Sequence, residues 1–295
     1  MPTLRQLAYL DALARHRHFG RAADAAAVTQ PALSMQIKEL EAELGLTLVE
    51  RRNKGIGLTA EGRVVAARAA IILRDVQDLV DSARVQSGKV LTGPLRLGVI
   101  PSVAPYLLPR LLPALQHHYP ACAPLVRETQ TQTLLEELQR GDLDIVIAAL
   151  PLGGSGIETL PLFDDPFLLA APVARADLPA RANAQILNQE TILLLEEGHC
   201  LRDQTLDVCA AGGGDARIGP FGATNLATLA SMVANGYGVT LLPTLAIKDQ
   251  PADPRIRLIP FKDPAPFRTI ALAWRRRTPR ERDFRALGAL LSKTG

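Results

Sequence analysis

Between residues 4 and 48 the apolar side chains recur at helical spacing and nowhere alternate as a strand would. One break in that pattern constrains the fold most. A helix over roughly residues 19–26 and another beginning at Thr29 are separated by Ala27-Val28 alone. Two short helices joined so tightly have the outline of a helix-turn-helix. Thr29 suits the N-cap of the later helix, and Pro31 suits its first turn, where an amide has no intrahelical partner anyway. An earlier helix runs through Leu7, Leu10 and Leu13. Past Leu48, the stretch Arg51-Arg52-Asn53-Lys54-Gly55-Ile56-Gly57-Leu58-Thr59 combines basic residues with glycines that fit a β-hairpin, or wing.

A long helix follows. Val65, Ala69, Ile72, Val76, Leu79 and Ala83 lie alternately four and three residues apart, with Arg74, Asp75, Asp78 and Asp81 on other faces. The stripe persists for three heptads and few elements are available to cover it, so pairing with a second copy is favoured over packing within its own domain. Gly88 and Thr92-Gly93-Pro94 end the helix in a linker. The remainder alternates strands (95–100, 125–129, 145–150) with helices (107–118, 134–140), an α/β body. Helix, glycine and apolar strand over 134–149 recur over 225–242, which suggests two similar halves enclosing a cleft. The crossings fall near 162–165 and 261–268, and 269–274 returns as a strand to the first half.

Composition narrows the class. At 295 residues with 47% hydrophobic and 21% charged, the chain is neither a small disulfide scaffold nor disordered. Met1-Pro2-Thr3-Leu4-Arg5 lacks the pattern of a secretory signal, and no apolar stretch is long enough for a membrane helix, so a soluble cytoplasmic protein is expected. The net charge of +3 is localised: residues 1–90 carry 13 Lys/Arg against 10 Asp/Glu, and the rest is balanced. A small basic module on a neutral body is compatible with nucleic acid. Three cysteines, Cys122, Cys200 and Cys209, are expected to rest as free thiols in a reducing compartment.

Near the start of the third helix, Thr29, Gln30, Pro31, Ala32, Ser34, Gln36 and Lys38 form a short series whose side chains could reach base edges, with Arg51, Arg52 and Lys54 holding the DNA backbone. A helical protein-binding domain fits the spacing equally well. Arg21-Ala22-Ala23-Asp24, Val28-Thr29-Gln30-Pro31-Ala32-Leu33-Ser34, Gln36-Ile37, Leu40-Glu41, Leu44-Gly45 and Leu48-Val49-Glu50-Arg51 closely resemble the signature of LysR-type transcriptional regulators. Ala26 departs from it, since a larger apolar residue is usual there. The resemblance implies a fold of class α/β with an N-terminal all-α winged helix-turn-helix (1–60) and a long dimerising linker helix with hinge (61–90). It also implies a two-subdomain, periplasmic-binding-protein-like effector domain, with subdomain I over 91–162 and 269–295 and subdomain II over 163–268.

Glu196-Glu197-Gly198-His199-Cys200-Leu201-Arg202-Asp203-Gln204 sets a thiol among polar residues after the apolar Ile192-Leu193-Leu194-Leu195. A reactive cysteine needs partial exposure and cationic neighbours, for which His199 and Arg202 are candidates. Cys209 is nine residues on, about 13 Å along a helix, beyond disulfide reach unless the segment unwinds. Spacing alone favours two unrelated cysteines.

The segment from Gly198 to Gln204, with Cys209 following, nevertheless resembles the redox segment of the peroxide-sensing members of the LysR family. The agreement extends through His16-Arg17-His18-Phe19, Pro105-Tyr106-Leu107-Leu108-Pro109, Leu162-Phe163-Asp164 and Thr240-Leu241-Leu242-Pro243. That resemblance implies a peroxidatic Cys200, a resolving Cys209 and a peroxide pocket of Ser102, Thr131, His199 and Arg268. Ser102 stands where the family has threonine; it keeps the hydroxyl and loses the methyl that restricts its rotamer. Cys122 matches no cysteine of that mechanism and reads as structural or incidental.

No metal or cofactor is expected: the pairs His16/His18 and His117/His118 lack further ligands, and Gly212-Gly213-Gly214 is no P-loop. The basic run Arg275-Arg276-Arg277, Arg280, Arg282, Arg285 reads as a solvated helix face. The expected protein is a DNA-binding activator of antioxidant genes, not an enzyme, switched by a reversible Cys200–Cys209 disulfide. Its expected partners are promoter DNA, hydrogen peroxide, further copies in a homodimer or homotetramer, RNA polymerase and a glutaredoxin- or thioredoxin-type reductant, with no membrane. The alternatives are a LysR-type regulator answering a small metabolite in the cleft, and a thiol peroxidase, which the helix-turn-helix disfavours.

Overall fold

Thr3 starts the first helix as the sequence chemistry requires: its hydroxyl accepts from the Gln6 amide while the Gln6 side chain accepts from the Thr3 amide, a capping box for α1 (Leu4–His16). The computed structural model describes residues 1–52, 55–85, 88–214, 216–248 and 253–294, with backbone alone at 51, 52, 55, 84, 85, 221, 293 and 294. The chain divides into two units, 1–87 and 88–295.

In the first unit α1 is followed by α2 (Phe19–Ala25), α3 (Gln30–Leu44), the hairpin β1 (Val49–Arg52) and β2 (Gly55–Leu58), and α4 (Ala60–Val85). Leu10, Leu13, Ala22, Leu33, Ile37, Leu40 and Leu48 make its core. Ala27, in the tight turn, is held at φ +52°, a left-handed conformation that costs a residue with a Cβ. Thr29 occupies the N-cap of α3, yet its side chain makes no capping bond. Gly62 lets α4 start against the wing, because a Cβ there would clash with the Leu48 carbonyl oxygen. The heptad stripe is divided: Ala69 is buried in its own unit, while Ile72 and Leu79 are exposed.

The second unit begins with β3 (Gly93–Val99), α5 (Ala104–His118), β4 (Cys122–Glu128), α6 (Thr131–Arg140) and β5 (Ile145–Ala149). The 16-residue β6 (Ile157–Pro172) follows. Next come β7 (Thr191–Leu195), α7 (Cys200–Ala211), β8 (Arg217–Ala223), α8 (Leu226–Ala234), β9 (Thr240–Pro243), β10 (Ile256–Pro260), β11 (Phe267–Arg275) and α9 (Glu281–Thr294).

The main sheet runs β10-β6-β11-β5-β3-β4, with β9 also on β6 and a separate parallel pair β7-β8. β3 is parallel to β4 and β5, whereas β11 is antiparallel to β5 and β6. Two cores result. Val99, Leu107, Leu134, Ile147, Trp274 and Phe284 belong to one. Phe167, Leu169, Leu187, Leu194, Leu201, Leu229 and Phe261 belong to the other.

The crossing read at 162–165 is not a loop. It lies inside β6, which pairs Asp164 with Thr269 and Asp165 with Arg268, so polar partners keep the strand continuous between the two cores. The basic run near the C-terminus also differs from a wholly solvated face. Arg280 is buried, donating to Asp144, Asp283 and the Pro94 carbonyl, while Asp283 accepts from the Leu91 amide. Arg285 does stay exposed, paired with Glu281. No helix among the described residues is long and apolar enough to cross a membrane.

Candidate functional site

α3 buries Leu33, Ile37 and Leu40 and turns its other face outward. On that outward side Thr29, Gln30, Pro31 and Lys38 are exposed and Ala32, Ser34 and Gln36 are half-buried, so the polar series read from the sequence lies on the open face of the second helix of the motif. Gln36 donates to Glu39 at 2.7 Å, which occupies its amide within the helix. Arg51 and Arg52 sit on the wing strand β1 with only their backbone described, and Lys54 lies outside the described residues.

The second site forms around the start of α7. β7 ends at Leu195, and Gly198, at φ +90°, reverses the chain so that His199 becomes the N-cap and Cys200 the first residue of the helix. Gly198 cannot carry a side chain without strain, since a Cβ would approach Gln130 Oε1 to 2.5 Å. Gln130 in turn donates to the Glu197 carbonyl, tying the β4–α6 turn to this loop. Cys200 therefore sits where the helix's unpaired amides give positive partial charge.

Ile100, Pro101, Ser102, Gln130, Thr131, His199, Cys200 and Leu201 line a narrow recess. Thr131 Oγ1 is buried there with no hydrogen-bond partner among the described residues. A buried polar atom left unpaired is costly and points to a ligand able to pair with it. Burial holds the His199 imidazole below its usual range against the opposing charge of Glu196, which favours its neutral form.

The family resemblance puts Arg268 among the pocket residues; the structure sets it behind Ser102. It donates to Ser102 Oγ at 2.8 Å and to the Ser102 carbonyl at 3.1 Å, and it pairs with Asp165. Ser102, Thr131, His199 and Cys200 come together directly, and Arg268 joins them through Ser102. Arg202 instead donates to the Leu195 carbonyl.

Cys209 stands apart. Nine helical residues put it about 13.5 Å along α7 and about 180° around the axis from Cys200. Cys200 packs on the first core, and Cys209 is buried in the second, where desolvation pushes its thiol up. All three cysteines are free thiols. Cys122 opens strand β4, half-buried, and its thiol is also pushed up by burial, with Arg280 opposing.

The sequence assigns no role to Asp165, to Gln130, which it marks only as part of the family resemblance, or to the Arg280–Asp144–Asp283 cluster. A signal existed for the first: Asp164-Asp165-Pro166 interrupts an otherwise apolar run.

Residues 4–63 match the family described as bacterial regulatory helix-turn-helix protein, lysR family, and residues 88–295 match the LysR substrate binding domain. The chain is 43% identical over 280 residues to the DNA-binding transcriptional dual regulator OxyR of Escherichia coli, covering 94% of this chain and 90% of that one. It is 43% identical over 296 residues to a probable hydrogen peroxide-inducible genes activator of Streptomyces viridosporus, covering 98% and 93%. Among solved structures, a full-length OxyR variant from Pseudomonas aeruginosa superposes with a TM-score of 0.78 at 35% identity, covering 100% of this chain and 99% of that one. A cysteine variant of Corynebacterium glutamicum OxyR with hydrogen peroxide bound superposes with a TM-score of 0.68 at 31% identity, covering 100% and 92%.

Proposed function

The chain belongs to the LysR family of bacterial transcriptional regulators, and from that premise we propose that it senses hydrogen peroxide and activates antioxidant genes through a reversible Cys200–Cys209 disulfide. The observation that carries the reading is the recess itself. A half-buried cysteine at a helix N-terminus faces an unpaired threonine hydroxyl and a serine hydroxyl, and a second cysteine waits on the far side of the same helix.

The Cys200 thiolate attacks one peroxide oxygen, the O–O bond breaks, and the departing hydroxide leaves as water, giving a sulfenic acid. Ser102 and Thr131 stabilise the charge that develops on the leaving oxygen, and Arg268 supports Ser102. His199, whose neutral form burial favours, borders the same space. Loss of the packed thiol frees α7 to unwind. Cys209, a poor nucleophile while buried, then displaces hydroxide from the sulfenic acid, forming the S–S bond and a second water. Two thiols and one peroxide yield a disulfide and two waters, and a glutaredoxin- or thioredoxin-type dithiol restores them. One oxidation per event is signalling and not turnover, and the named relatives are transcriptional regulators, so the protein is not an enzyme.

We assign DNA contact to Thr29, Gln30, Pro31, Ala32, Ser34, Gln36 and Lys38, and backbone contact to Arg51, Arg52 and Lys54. The head spans 1–60, the linker helix and hinge 61–90, subdomain I 91–162 with 269–295, and subdomain II 163–268, in the manner of a periplasmic binding protein. A cytoplasmic dimer or dimer of dimers would present paired heads to promoter DNA and contact RNA polymerase. A metabolite-responsive regulator is the second reading: a groove along Gln204, Asp207 and Val208 has a volume of about 840 Å³, within the ~300–1,000 Å³ of pockets for organic molecules. It ranks below peroxide sensing because Cys200 does not line that groove and the named relatives include a probable hydrogen peroxide-inducible genes activator.

The test is thiol mapping by mass spectrometry before and after a stoichiometric peroxide pulse, with promoter footprints alongside. A Cys200–Cys209 linkage and a changed footprint are expected. Neither appearing would remove the reading, and a footprint moved by a metabolite instead would replace it.

A further inference from the structure

Asp165 lies outside the recess, yet it ends the only buried polar chain that reaches Ser102 among the described residues. Asp165 and Arg268 are each 2% exposed and Ser102 is 4% exposed. Asp165 Oδ1 accepts from the Leu245 amide at 2.8 Å. Its Oδ2 accepts from Arg268 Nε at 3.0 Å and lies 2.9 Å from the Nη2 nitrogen of the same guanidinium. The opposite edge of the guanidinium grips both the Ser102 hydroxyl and the Ser102 carbonyl.

A guanidinium only donates, so Ser102 Oγ must accept from Arg268 and turn its own hydrogen elsewhere. Ser102 also lines the recess shared with Thr131, His199 and Cys200, and that recess can receive this hydrogen. The guanidinium's positive charge stands directly behind that hydroxyl and strengthens its donation. A serine has three χ1 wells where a threonine is restricted, so at position 102 an external clamp does what a β-methyl would otherwise do. Arg268 can clamp only while its plane is fixed, and the carboxylate of Asp165 fixes it from the far side while balancing a charge that would be costly to bury alone.

We propose that Asp165 is the positioning residue of the peroxide site: it orients Arg268 so that the Ser102 hydroxyl donates toward Cys200. This rests on the peroxide-sensing reading above, and the test separates the two. The measurement is the second-order rate of Cys200 oxidation by hydrogen peroxide, by stopped flow on the full-length reduced protein, with thermal unfolding recorded for each variant.

Removing one oxyanion-type donor outright costs about 100- to 1,000-fold in rate, and misorienting one costs less. Asp165→Asn is therefore expected to slow oxidation about tenfold, Asp165→Glu to recover most of the rate, and Ser102→Thr to restore much of it to Asp165→Asn by supplying the missing rotamer restriction. In a Ser102→Ala background, Asp165→Asn should slow nothing further, a result that a general loss of packing would not give. If Asp165→Asn fails to fold, Arg268→Lys, which keeps the charge but loses the fork, serves in its place and should show the same dependence on Ser102. An undiminished rate in a folded Asp165→Asn protein, or an equal slowing with and without Ser102, overturns the inference while leaving peroxide sensing intact. Wild-type oxidation no faster than that of free cysteine would overturn both.

Discussion

Single residues show where local rules are broken and by what. Ala27 holds a left-handed conformation in the turn between α2 and α3 with an exposed side chain, so Ala27→Gly should stabilise the head by about 1 kcal/mol. A urea titration of the DNA-binding unit within the full chain checks this, and an unchanged or lowered midpoint would contradict it. Gly198 is the converse case. Gly198→Ala must take φ +90° and crowd Gln130, so it should cost about 1–2 kcal/mol and slow Cys200 oxidation, with Gln130→Ala relieving the crowding but not the backbone strain. His199 adds a pH signature. Burial lowers its folded-state affinity for a proton, so below the ordinary value of 6.5 the unfolded chain binds protons that the folded chain refuses. Stability of the reduced protein should therefore fall as pH drops through 6.5, and His199→Gln should flatten that slope in unfolding midpoints taken from pH 5 to 8.

At the scale of elements, α7 is the part whose stability sets the switch proposed above. The sulfurs at its two ends face opposite cores, so no disulfide can close until the helix gives way. Ala210 is exposed and close to the C-terminal end. Replacing it with glycine should cost the helix up to about 1 kcal/mol, the interior value being an upper bound in the last turn, for at most about a fivefold gain in the unwound population. Disulfide closure after oxidation should accelerate by about that factor, with the first step at Cys200 unchanged. Rapid acid quench, alkylation and mass spectrometry resolve the two steps, and closure at the wild-type rate would show that unwinding does not limit the switch.

Elements of this kind were legible in the sequence. The helical spacing up to Leu48, the glycine-rich wing and the echo between 134–149 and 225–242 all come from patterns only a few residues long. Individual side-chain partners were not. Thr29 was read as a capping residue and makes no capping bond, because the cap position depends on backbone geometry and the bond on a rotamer. Arg268 could be named but not placed behind Ser102, and Asp165 lies more than a hundred residues from the arginine it orients. Arg280 looked solvated within a basic run because its partners, Asp144 and the Pro94 carbonyl, come from a distant part of the chain. Contacts that close over such separations leave no periodic trace.

For the whole molecule, the localised positive charge and the divided heptad stripe of α4 belong together. A single head presents a short polar face on α3, whereas regulators of this architecture read two half-sites related by the symmetry of a dimer. The N-terminal part of the stripe is used within its own unit, as buried Ala69 shows, but Ile72 at 44% and Leu79 at 69% exposure remain uncovered, as does the neighbouring Val80 at 42%. Covering such side chains with a second copy of the helix stabilises by about 1.5–3 kcal/mol per large aliphatic residue fully buried. Leu79→Glu removes that gain from both copies and places two like charges near each other, so the dimer should weaken by at least about 3 kcal/mol, more than a hundredfold in Kd. Sedimentation velocity at micromolar concentration should show dissociation, and the promoter footprint should shrink or vanish. Peroxide oxidation of Cys200 should proceed at the wild-type rate, because the recess lies wholly within the second unit. An unchanged sedimentation coefficient would mean that α4 does not carry the dimer, whereas a monomer with impaired Cys200 oxidation would mean that the sensor is not complete within one chain.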